Sequence, residues 1–261
     1  MSYELFVSLR QLKAKRTQRF ISLNTWISIG GVALGVMALI VVIAVMSGFG
    51  KDLRDKILGT NSHVVVTNVT RTGMVDYETI MKKVVKVDGV KAAAPFILNQ
   101  VMLAYGDNAV GVVVRGVDVD REAGVSDLEK NLVQGSLKML ERSKKSSGKL
   151  RRDGIILGKE LARKLGVQSD DAVSMVAPAS RMTPMGLIPK IKLFQVVGLF
   201  ESGMFEYDSN LAFISIHSAQ KFFAMKGKVS GIEIRVVDIE QADQVAAGIQ
   251  DSLGFPYFAR D

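Results

Sequence analysis

Cysteine does not occur in the 261 residues of this chain. Its absence excludes disulfide bonds and thiolate metal sites, although it does not identify the cellular compartment. Histidine is almost as scarce, because only His63 and His217 are present, and neither has a carboxylate at metal-site or triad spacing. The G-x-x-x-x-G-K-[ST] loop that binds nucleotide phosphates is also missing. We therefore expect no enzyme activity and no cofactor or metal in this chain.

Charged side chains are missing from one continuous run of 31 residues, 20–50. Its centre, residues 27–46, is almost entirely aliphatic. Twenty helical residues extend about 30 Å, which matches the hydrocarbon core of a bilayer. The run therefore predicts a transmembrane helix over residues 20–50.

Two other interpretations of this run are possible. A cleaved signal peptide has the same order of basic and apolar regions, but its apolar core is about 7–15 residues long and ends at small residues. The sequence around Met46 matches such a cleavage site poorly. A buried core helix is the second alternative, and it is normally shorter and has a polar face.

The charges on either side of the run predict its orientation. Five basic residues precede it against one acid, Glu4, whereas the charges that follow it at residues 51–56 nearly balance. The basic residues are Arg10, Lys13, Lys15, Arg16 and Arg19. By the positive-inside rule, residues 1–19 lie in the cytoplasm and residues 51–261 lie across the membrane.

The net charge of +8 does not indicate binding to nucleic acid, because it is concentrated in two segments. One is the basic N-terminus, and the other is the segment ERSKKSSGKLRR at residues 141–152. The second segment has no apolar periodicity and predicts a solvated loop, with contact to anionic lipid or a partner as the alternative.

Small residues form one face of the apolar run. Gly31 and Gly35 make a G-x-x-x-G pair. In lipid, such a pair lets helix backbones approach closely, so we expect this helix to pack against other membrane helices.

The outer part, residues 51–261, alternates between short helical and strand patterns. Helices are predicted at 48–59, 76–87, 160–165, 219–225 and 239–253. Strands are predicted at 63–67, 91–95, 101–105, 110–115, 154–157, 172–176, 193–200, 210–216 and 231–237. The tripeptide 106–108, Gly-Asp-Asn, is a hairpin signal between two of them. The pattern predicts a mixed α+β domain of two intertwined lobes.

Proline is rare, and three of the five prolines lie within twelve residues, PASRMTPMGLIP at 178–189. The flanking runs predict strands, so the segment predicts a long hairpin loop over residues 178–192. Proline stiffens the backbone and cannot donate a sheet hydrogen bond. The loop either folds back on its own core or forms a rigid apolar protrusion that docks a partner.

The sequence resembles one transporter family along nearly its whole length. Residues 9–59, beginning LRQLKAKRTQRFISLNTWISIGG, are similar to the first membrane helix of the lipoprotein-releasing (Lol) transporter permeases, the LolC/LolE family. The resemblance continues through DGVKAAAPF, VGVVVRGVD, GIILGKELARKLGV, TPMGLIP and FQVVGLFESGMFEYDSNLAFISI. It implies a MacB-like periplasmic core domain anchored in the inner membrane by an N-terminal helix.

The resemblance also implies a function and partners. Permeases of this family lift triacylated lipoproteins from the inner membrane and pass them to a soluble periplasmic carrier, LolA. A separate cytoplasmic subunit, LolD, hydrolyses ATP, and a second permease copy or paralogue completes the membrane part. We accordingly expect the membrane, lipoprotein acyl chains and these proteins as partners, and no nucleic acid.

Specific residues of this chain match the family's functional segments. The carrier-docking hairpin of the family, the Hook, corresponds to Thr183, Pro184, Met185, Gly186, Leu187, Ile188 and Pro189. Lys192 falls where the family has a basic residue that supports contact with the carrier, although arginine there would bond in a bidentate way that lysine cannot. The stretch that lines the lipid cavity corresponds to Val42, Val45, Met46 and Phe49.

The chain departs from the family in one respect, because family permeases have four membrane helices and only one apolar run of spanning length occurs here. The expectation is a truncated permease, a partial permease or a split gene. Two alternatives remain open. One is a MacB-like efflux or signalling permease without a docking hairpin, and the other is a single-pass scaffold that uses the basic loop 142–152.

Overall fold

The computed structural model describes residues 3–13, 19–60, 62–70, 73–141, 152–183 and 186–261, without the side chains of some of them, residues 178–188 among these. The chain divides into two compact units, Met1–Arg54 and Asp55–Asp261. The helices are α1 (Tyr3–Lys13), α2 (Arg19–Thr60), α3 (Tyr77–Val84), α4 (Val119–Val125), α5 (Lys159–Leu165), α6 (Phe205–Asn210), α7 (Ile216–Phe222) and α8 (Ala242–Leu253). The strands are β1 (Val64–Asn68), β2 (Val90–Tyr105), β3 (Asn108–Val117), β4 (Leu132–Gln134), β5 (Asp153–Gly158), β6 (Ala172–Thr183), β7 (Gly186–Phe200), β8 (Leu211–Ser215), β9 (Gly231–Val236) and β10 (Tyr257–Arg260).

Helix α2 contains the apolar run. It has 42 residues, so it is about 63 Å long, roughly twice the thickness of the hydrocarbon core. Its segment Leu23–Asp52 is long and apolar enough to cross a membrane, and none of that segment is buried in the described structure. The lack of burial argues against the core-helix alternative. The short helix expected at residues 48–59 is present as the continuation of α2 to Thr60.

Six strands of the outer unit pair in a closed ring. Strand β2 pairs with β3, β3 with β8, β8 with β5, β5 with β7, β7 with β6, and β6 pairs again with β2. The β3–β8 and β5–β7 pairs are parallel and the other four are antiparallel. Closing the ring satisfies backbone groups that would otherwise be exposed along strand edges.

Alternate residues of the ring strands are buried, as the period of two in a β-strand requires. These residues are Val101 and Leu103, Val112 and Val114, Ile155 and Leu157, Val173 and Met175, Phe194 and Val196, and Ala212 and Ile214. All of them belong to one apolar cluster. The ring therefore encloses a packed core rather than a pore.

The remaining described strands extend this sheet on both sides. Strands β10, β1 and β9 form an antiparallel sheet with the N-terminal half of β2, while the three-residue strand β4 pairs with β7. Helices α3 and α8 pack together beside this antiparallel sheet. A smaller apolar cluster that includes Ile156, Phe200 and Phe213 lies outside the main one.

The outer edge of strand β10 is covered by a side chain. The amide nitrogen of Gln250, in α8, donates to the carbonyl oxygen of Tyr257 at 2.9 Å. The amide oxygen of Gln250 accepts from the backbone N–H of Ala259 at 3.0 Å. One side chain therefore occupies the hydrogen-bonding groups that a further strand would use.

The two strands expected at residues 91–95 and 101–105 form one strand, β2. The predicted break at residues 96–100 is wrong, because these residues continue the strand. In the structure, pairing of β2 with β3 begins only at Phe96, and Pro95 precedes it. Pro95 pairs with Ile232 of β9 and lies outside the ladder with β3, so its missing N–H costs no hydrogen bond to β3.

Several short elements were not predicted: α1, α4, β4, α6 and β10. The hairpin signal at 106–108 is confirmed, because Gly106 and Asp107 form the turn between β2 and β3, with Gly106 at a φ of 55°. The predicted mixed α+β class is also confirmed, and the strands of the outer unit join in a single connected sheet.

Candidate functional site: a hairpin that leaves the core

Strands β6 and β7 form a long two-stranded hairpin. Their pairing runs from Ala172 opposite Gln195 to Thr183 opposite Gly186. A hairpin is present over residues 178–192 as predicted, but the expected loop is wrong, since most of that segment is paired strand. Pro184 and Met185, between the last paired residues, lie outside the described part of the chain.

The strand was missed because of its prolines, and the register explains how they are accommodated. Ala177 pairs with Lys190 and Arg181 pairs with Ile188, so three residues of β6 face the single residue Pro189. Pro178 lies in the same interval. This irregularity interrupts the ladder, so neither proline has to donate a ladder hydrogen bond there.

The hairpin leaves the packed core at this same level. On β6, Val173, Met175 and Ala177 are buried. On β7 the core-facing series ends at buried Phe194, and the next two positions on that face are Lys192 and Lys190. The change from phenylalanine to lysine marks where the strand passes from the core to its surroundings.

Lys190 fastens the hairpin to the end of helix α7. Its ammonium donates to the carbonyl oxygens of Phe222 at 2.7 Å and of Lys221 at 3.1 Å. These carbonyls belong to the last turn of the helix, where a cation is favoured. The same ammonium lies 5.4 Å from the centre of the Phe222 ring.

Lys192 fastens the hairpin to strand β5. Its ammonium contacts the carboxylate of Asp153, and about a quarter of each side chain is exposed. The hydroxyl of Ser218 also donates to Asp153, at 2.8 Å. Burial alone raises the pKa of Asp153, but the hydrogen bonds from Lys192 and Ser218 and the charges of Lys192 and Lys221 outweigh it, so that pKa lies below its usual range.

The opposite face of the hairpin base is apolar and exposed. Met102 of β2 pairs with Val176 of β6, which pairs with Ile191 of β7, so the three residues form one row across three strands. Met102 and Ile191 are exposed, and Val176 is half-buried. A cleft of about 740 Å³ lies beside the row and is also lined by Pro189 and Gly111. Solvated apolar side chains in a contiguous row are typical of a surface that contacts a partner.

The structure places the expected Hook residues on this hairpin as far as it describes them. Thr183 and Gly186 form its last described pair, and the backbones of Leu187 and Ile188 continue strand β7. Pro189 is exposed. Lys192 lies at the hairpin base and is bonded within the domain, so its expected contact with a carrier stays a prediction.

The residues expected to line a lipid cavity lie on α2. Val42, Val45, Met46 and Phe49 are each more than half exposed. A side-chain carbon built at Gly31 or Gly35 would meet no atom within 4 Å in the described structure. Both faces are therefore available to lipid or to other helices, and their assigned roles stay predictions.

Sequence reasoning missed Lys190, Asp153 and Ser218, which hold the hairpin base. A signal for the lysines was present, because KIKLF at residues 190–194 places both lysines on the same strand face as Phe194. No local pattern identified Asp153 or Ser218, since their contacts join residues 65 positions apart.

The sequence profile described as the MacB-like periplasmic core domain matches residues 25–252. The chain therefore belongs to the MacB-like periplasmic core domain family. An apolar helix of spanning length joined to such a domain indicates a location at the inner membrane.

Curated relatives narrow the comparison. The chain is 36% identical over 255 residues to the lipoprotein-releasing system transmembrane protein LolC of Xylella fastidiosa strain Temecula1, covering 98% of this chain and 59% of that protein. It is 33% identical over 246 residues to the protein of the same name from Neisseria meningitidis serogroup B, covering 94% of this chain and 57% of that protein. The expected resemblance to the LolC/LolE family is confirmed. The chain spans under three fifths of the length of these relatives.

Solved structures include more distant neighbours. The periplasmic region of MacB from Actinobacillus actinomycetemcomitans has a TM-score of 0.47 at 11% identity, over 78% of this chain and 89% of that one. The extracellular domain of the noncanonic ABC-type transporter YknZ from Gram-positive bacteria has a TM-score of 0.46 at 13% identity, over 76% of this chain and 99% of that one.

Proposed function

We propose that this chain is part of a permease subunit of an ABC transporter that extracts outer-membrane-destined lipoproteins from the inner membrane. In this proposal the β6–β7 hairpin docks a LolA-like periplasmic carrier through residues 183–189. The observation that carries the proposal is the hairpin itself, whose strands stay paired out to Thr183 and Gly186, beyond the last buried residues that the structure describes on each strand, Ala177 and Phe194.

The physical argument is preorganisation. A paired hairpin with stiff proline positions loses little conformational entropy when a partner binds, so a larger part of the contact energy appears as affinity. The apolar row Met102–Val176–Ile191 at the base supplies further area beside the hairpin. The names of the relatives, which refer to a lipoprotein-releasing system, support lipoprotein as the substrate.

The remaining partners follow from the same proposal. The N-terminus faces the cytoplasm, where a LolD-like subunit hydrolyses ATP for the transporter. A second permease copy or a paralogue packs against α2 at Gly31 and Gly35. Lipoprotein acyl chains contact the outer end of α2 at Val42, Val45, Met46 and Phe49, whose exposed side chains are apolar and, for methionine, flexible.

The test is carrier binding by the full chain in lipid nanodiscs. Met185→Asp places a charge where an apolar contact is proposed, and desolvating that charge should weaken binding by at least tenfold. The melting temperature should stay within a degree or two of wild type, because a docking tip is not part of the core. Val237→Asp is the matched control, because Val237 is an exposed apolar residue that lies outside the hairpin, directly after strand β9.

Two results would overturn the docking role. One is a Met185→Asp protein of reduced melting temperature and unchanged affinity, which indicates a tip folded on its own core. The other is a wild-type chain that binds no carrier, which favours a MacB-like efflux or signalling permease or a scaffold. The family match by itself fits the efflux or signalling alternative equally well.

A further inference from the structure

Three separate elements meet at the base of the hairpin. Asp153 is the first residue of β5, Lys192 lies on β7, and Ser218 lies on α7. The Asp153 carboxylate accepts hydrogen bonds from both of the other side chains. Ser218 is itself fixed, because its backbone N–H donates to the Ser215 hydroxyl at 3.2 Å as part of the N-cap of α7.

This contact lies close to an irregular part of the hairpin. The ladder between β6 and β7 is regular at Lys192 and Lys190, and the register shift that follows Ala177 interrupts it further towards the tip. On β7 the buried series ends at Phe194, whereas on β6 it continues through Met175 and Ala177, which pair with Lys192 and Lys190. The polar contacts of Lys192 and Lys190 therefore lie on the core side of the interrupted ladder, where they can resist bending of the outer hairpin.

We propose that Asp153 is a positioning residue for the hairpin. By holding Lys192 from one side and Ser218 from the other, it ties β7 to β5 and α7 and fixes the direction in which residues 181–188 project. Lys190 contributes a second tie to the end of α7. The consequence for carrier docking rests on the function proposed above, whereas the consequence for hairpin direction does not.

The charge arrangement explains why an aspartate serves this purpose. The carboxylate offers acceptor sites to an ammonium and a hydroxyl at once, and the ammonium–carboxylate bond is stronger than a neutral one. The pair is half-buried, so solvent screens it less than it screens a fully exposed pair. Loss of the carboxylate leaves the Lys192 ammonium free to turn towards water. The β5–β7 ladder remains from Asp153 opposite Phe194 onwards, but the side-chain contact just beyond the end of that ladder is then missing.

The first experiment measures hairpin direction without any partner. Because the chain has no native cysteine, spin labels at Met182→Cys and Asp251→Cys report one distance in the full chain in nanodiscs. Asp251 is exposed on α8, remote from the hairpin in sequence. The background protein should give one narrow distance distribution, and Asp153→Ala should broaden it. An unchanged distribution in Asp153→Ala overturns the proposal.

Rescue separates positioning from general stability. The charge swap Asp153→Lys with Lys192→Asp restores an ion pair and should narrow the distribution again, which a role in packing alone does not predict. Glu201→Ala is the matched control, because Glu201 forms an exposed ion pair with Lys159 at 2.8 Å near the other end of β7. If Asp153→Ala does not fold, Asp153→Asn and the charge swap carry the same comparison.

The second experiment measures carrier affinity of the same proteins. Asp153→Ala should weaken binding by roughly tenfold, as expected when one or two backbone residues must be ordered on contact. The charge swap should recover most of that loss, and Glu201→Ala should bind like wild type. Equal affinity of wild type and Asp153→Ala overturns the docking consequence. A wild type that binds no carrier refutes the proposed function, while the distance distributions still decide the role of Asp153.

Discussion

The guanidinium of Arg115 reaches across strand β2 to the carboxylate of Glu233. Arg115 lies on β3 and Glu233 on β9, the two strands that flank β2, and the guanidinium passes 6.0 Å from the centre of the Phe96 ring between them. Both side chains are at most 8% exposed. Glu122, on α4, lies 3.5 Å from the same guanidinium nitrogen and accepts a hydrogen bond from Ser126.

One buried cation thus faces two buried carboxylates, and the cluster ties α4 to the sheet. Arg115→Met removes the cation and leaves both carboxylates without a compensating charge, so the free energy of unfolding should fall by about 3–5 kcal/mol. Pulse proteolysis of the outer unit over a urea series measures this change. Adding Glu122→Gln and Glu233→Gln to Arg115→Met should recover much of the loss, because the uncompensated charges are then gone.

The control for this cluster is the exposed pair of Arg163 and Glu160, which lie 2.9 Å apart on α5. Arg163→Met should change the unfolding free energy by less than about 1 kcal/mol, as is usual for surface ion pairs. Equal effects of Arg115→Met and Arg163→Met would show that the buried cluster is not structurally important.

Acid should weaken the tie between Asp153 and Lys192. The pKa of Asp153 is lowered in the folded chain, so folding favours its charged form. The resulting stability is fully present above the ordinary aspartate pKa of about 3.9 and is lost as the pH falls through the lower folded value. The difference in urea midpoint between wild type and Asp153→Asn should therefore be largest near neutral pH and shrink below about pH 4. A difference that does not change between pH 7 and pH 3 contradicts this assignment.

Gly158 should not tolerate a side chain. A carbon built at its Cβ position would lie 2.1 Å from the carbonyl oxygen of Asp208, whose own side chain is held by Ser202. Gly158→Ala must displace backbone, and it should lower the free energy of unfolding by about 1–3 kcal/mol. Gly111→Ala on β3 is the control, because its Cβ would meet no atom within 4 Å. Comparable destabilisation by the two substitutions would contradict the steric argument.

The orientation of the chain can be tested by labelling single cysteines. Ser147→Cys should react with a membrane-impermeant thiol reagent in cells whose outer membrane has been permeabilised, and Ser8→Cys should not. The reason is the excess of basic residues before the apolar run. Labelling at Ser8 alone would reverse the orientation.

The sequence predicts the features that depend on neighbouring residues, and it does not predict the contacts between residues that are far apart in the chain. The apolar run, the turn at Gly106 and most strands of the ring depend on composition and period within a few residues, which a sequence displays directly. The strands that were predicted at 91–95 and 172–176 continue past Pro95 and Pro178. Whether a proline ends a strand depends on which backbone groups the neighbouring strand pairs with, and a sequence does not display this. Helices α4 and α6 bury polar side chains, Glu122 in α4 and Asp208 and Ser209 in α6, so neither displays an apolar helical period.

The candidate site likewise has a part that the sequence predicts and a part that it does not. The hairpin segment stood out through its clustered prolines, and the resemblance assigned residues 183–189 to docking. No sequence pattern predicts the contact at the base of the hairpin, because Asp153 and Ser218 come together only when β5 and α7 have packed into the same unit. The sequence therefore predicts a docking segment, and the structure adds the side-chain contacts at the base of the hairpin that carries it.

The side chain of Gln250 limits how neighbouring copies of this chain can pair in one membrane. Proteins confined to a bilayer meet repeatedly in two dimensions, and an open strand edge would let neighbouring copies join their sheets. The amide of Gln250 already occupies the groups of Tyr257 and Ala259 that such a junction would use. Crowding at the membrane surface can therefore bring these domains together without fusing their sheets through β10, which leaves assembly to surfaces that can separate again.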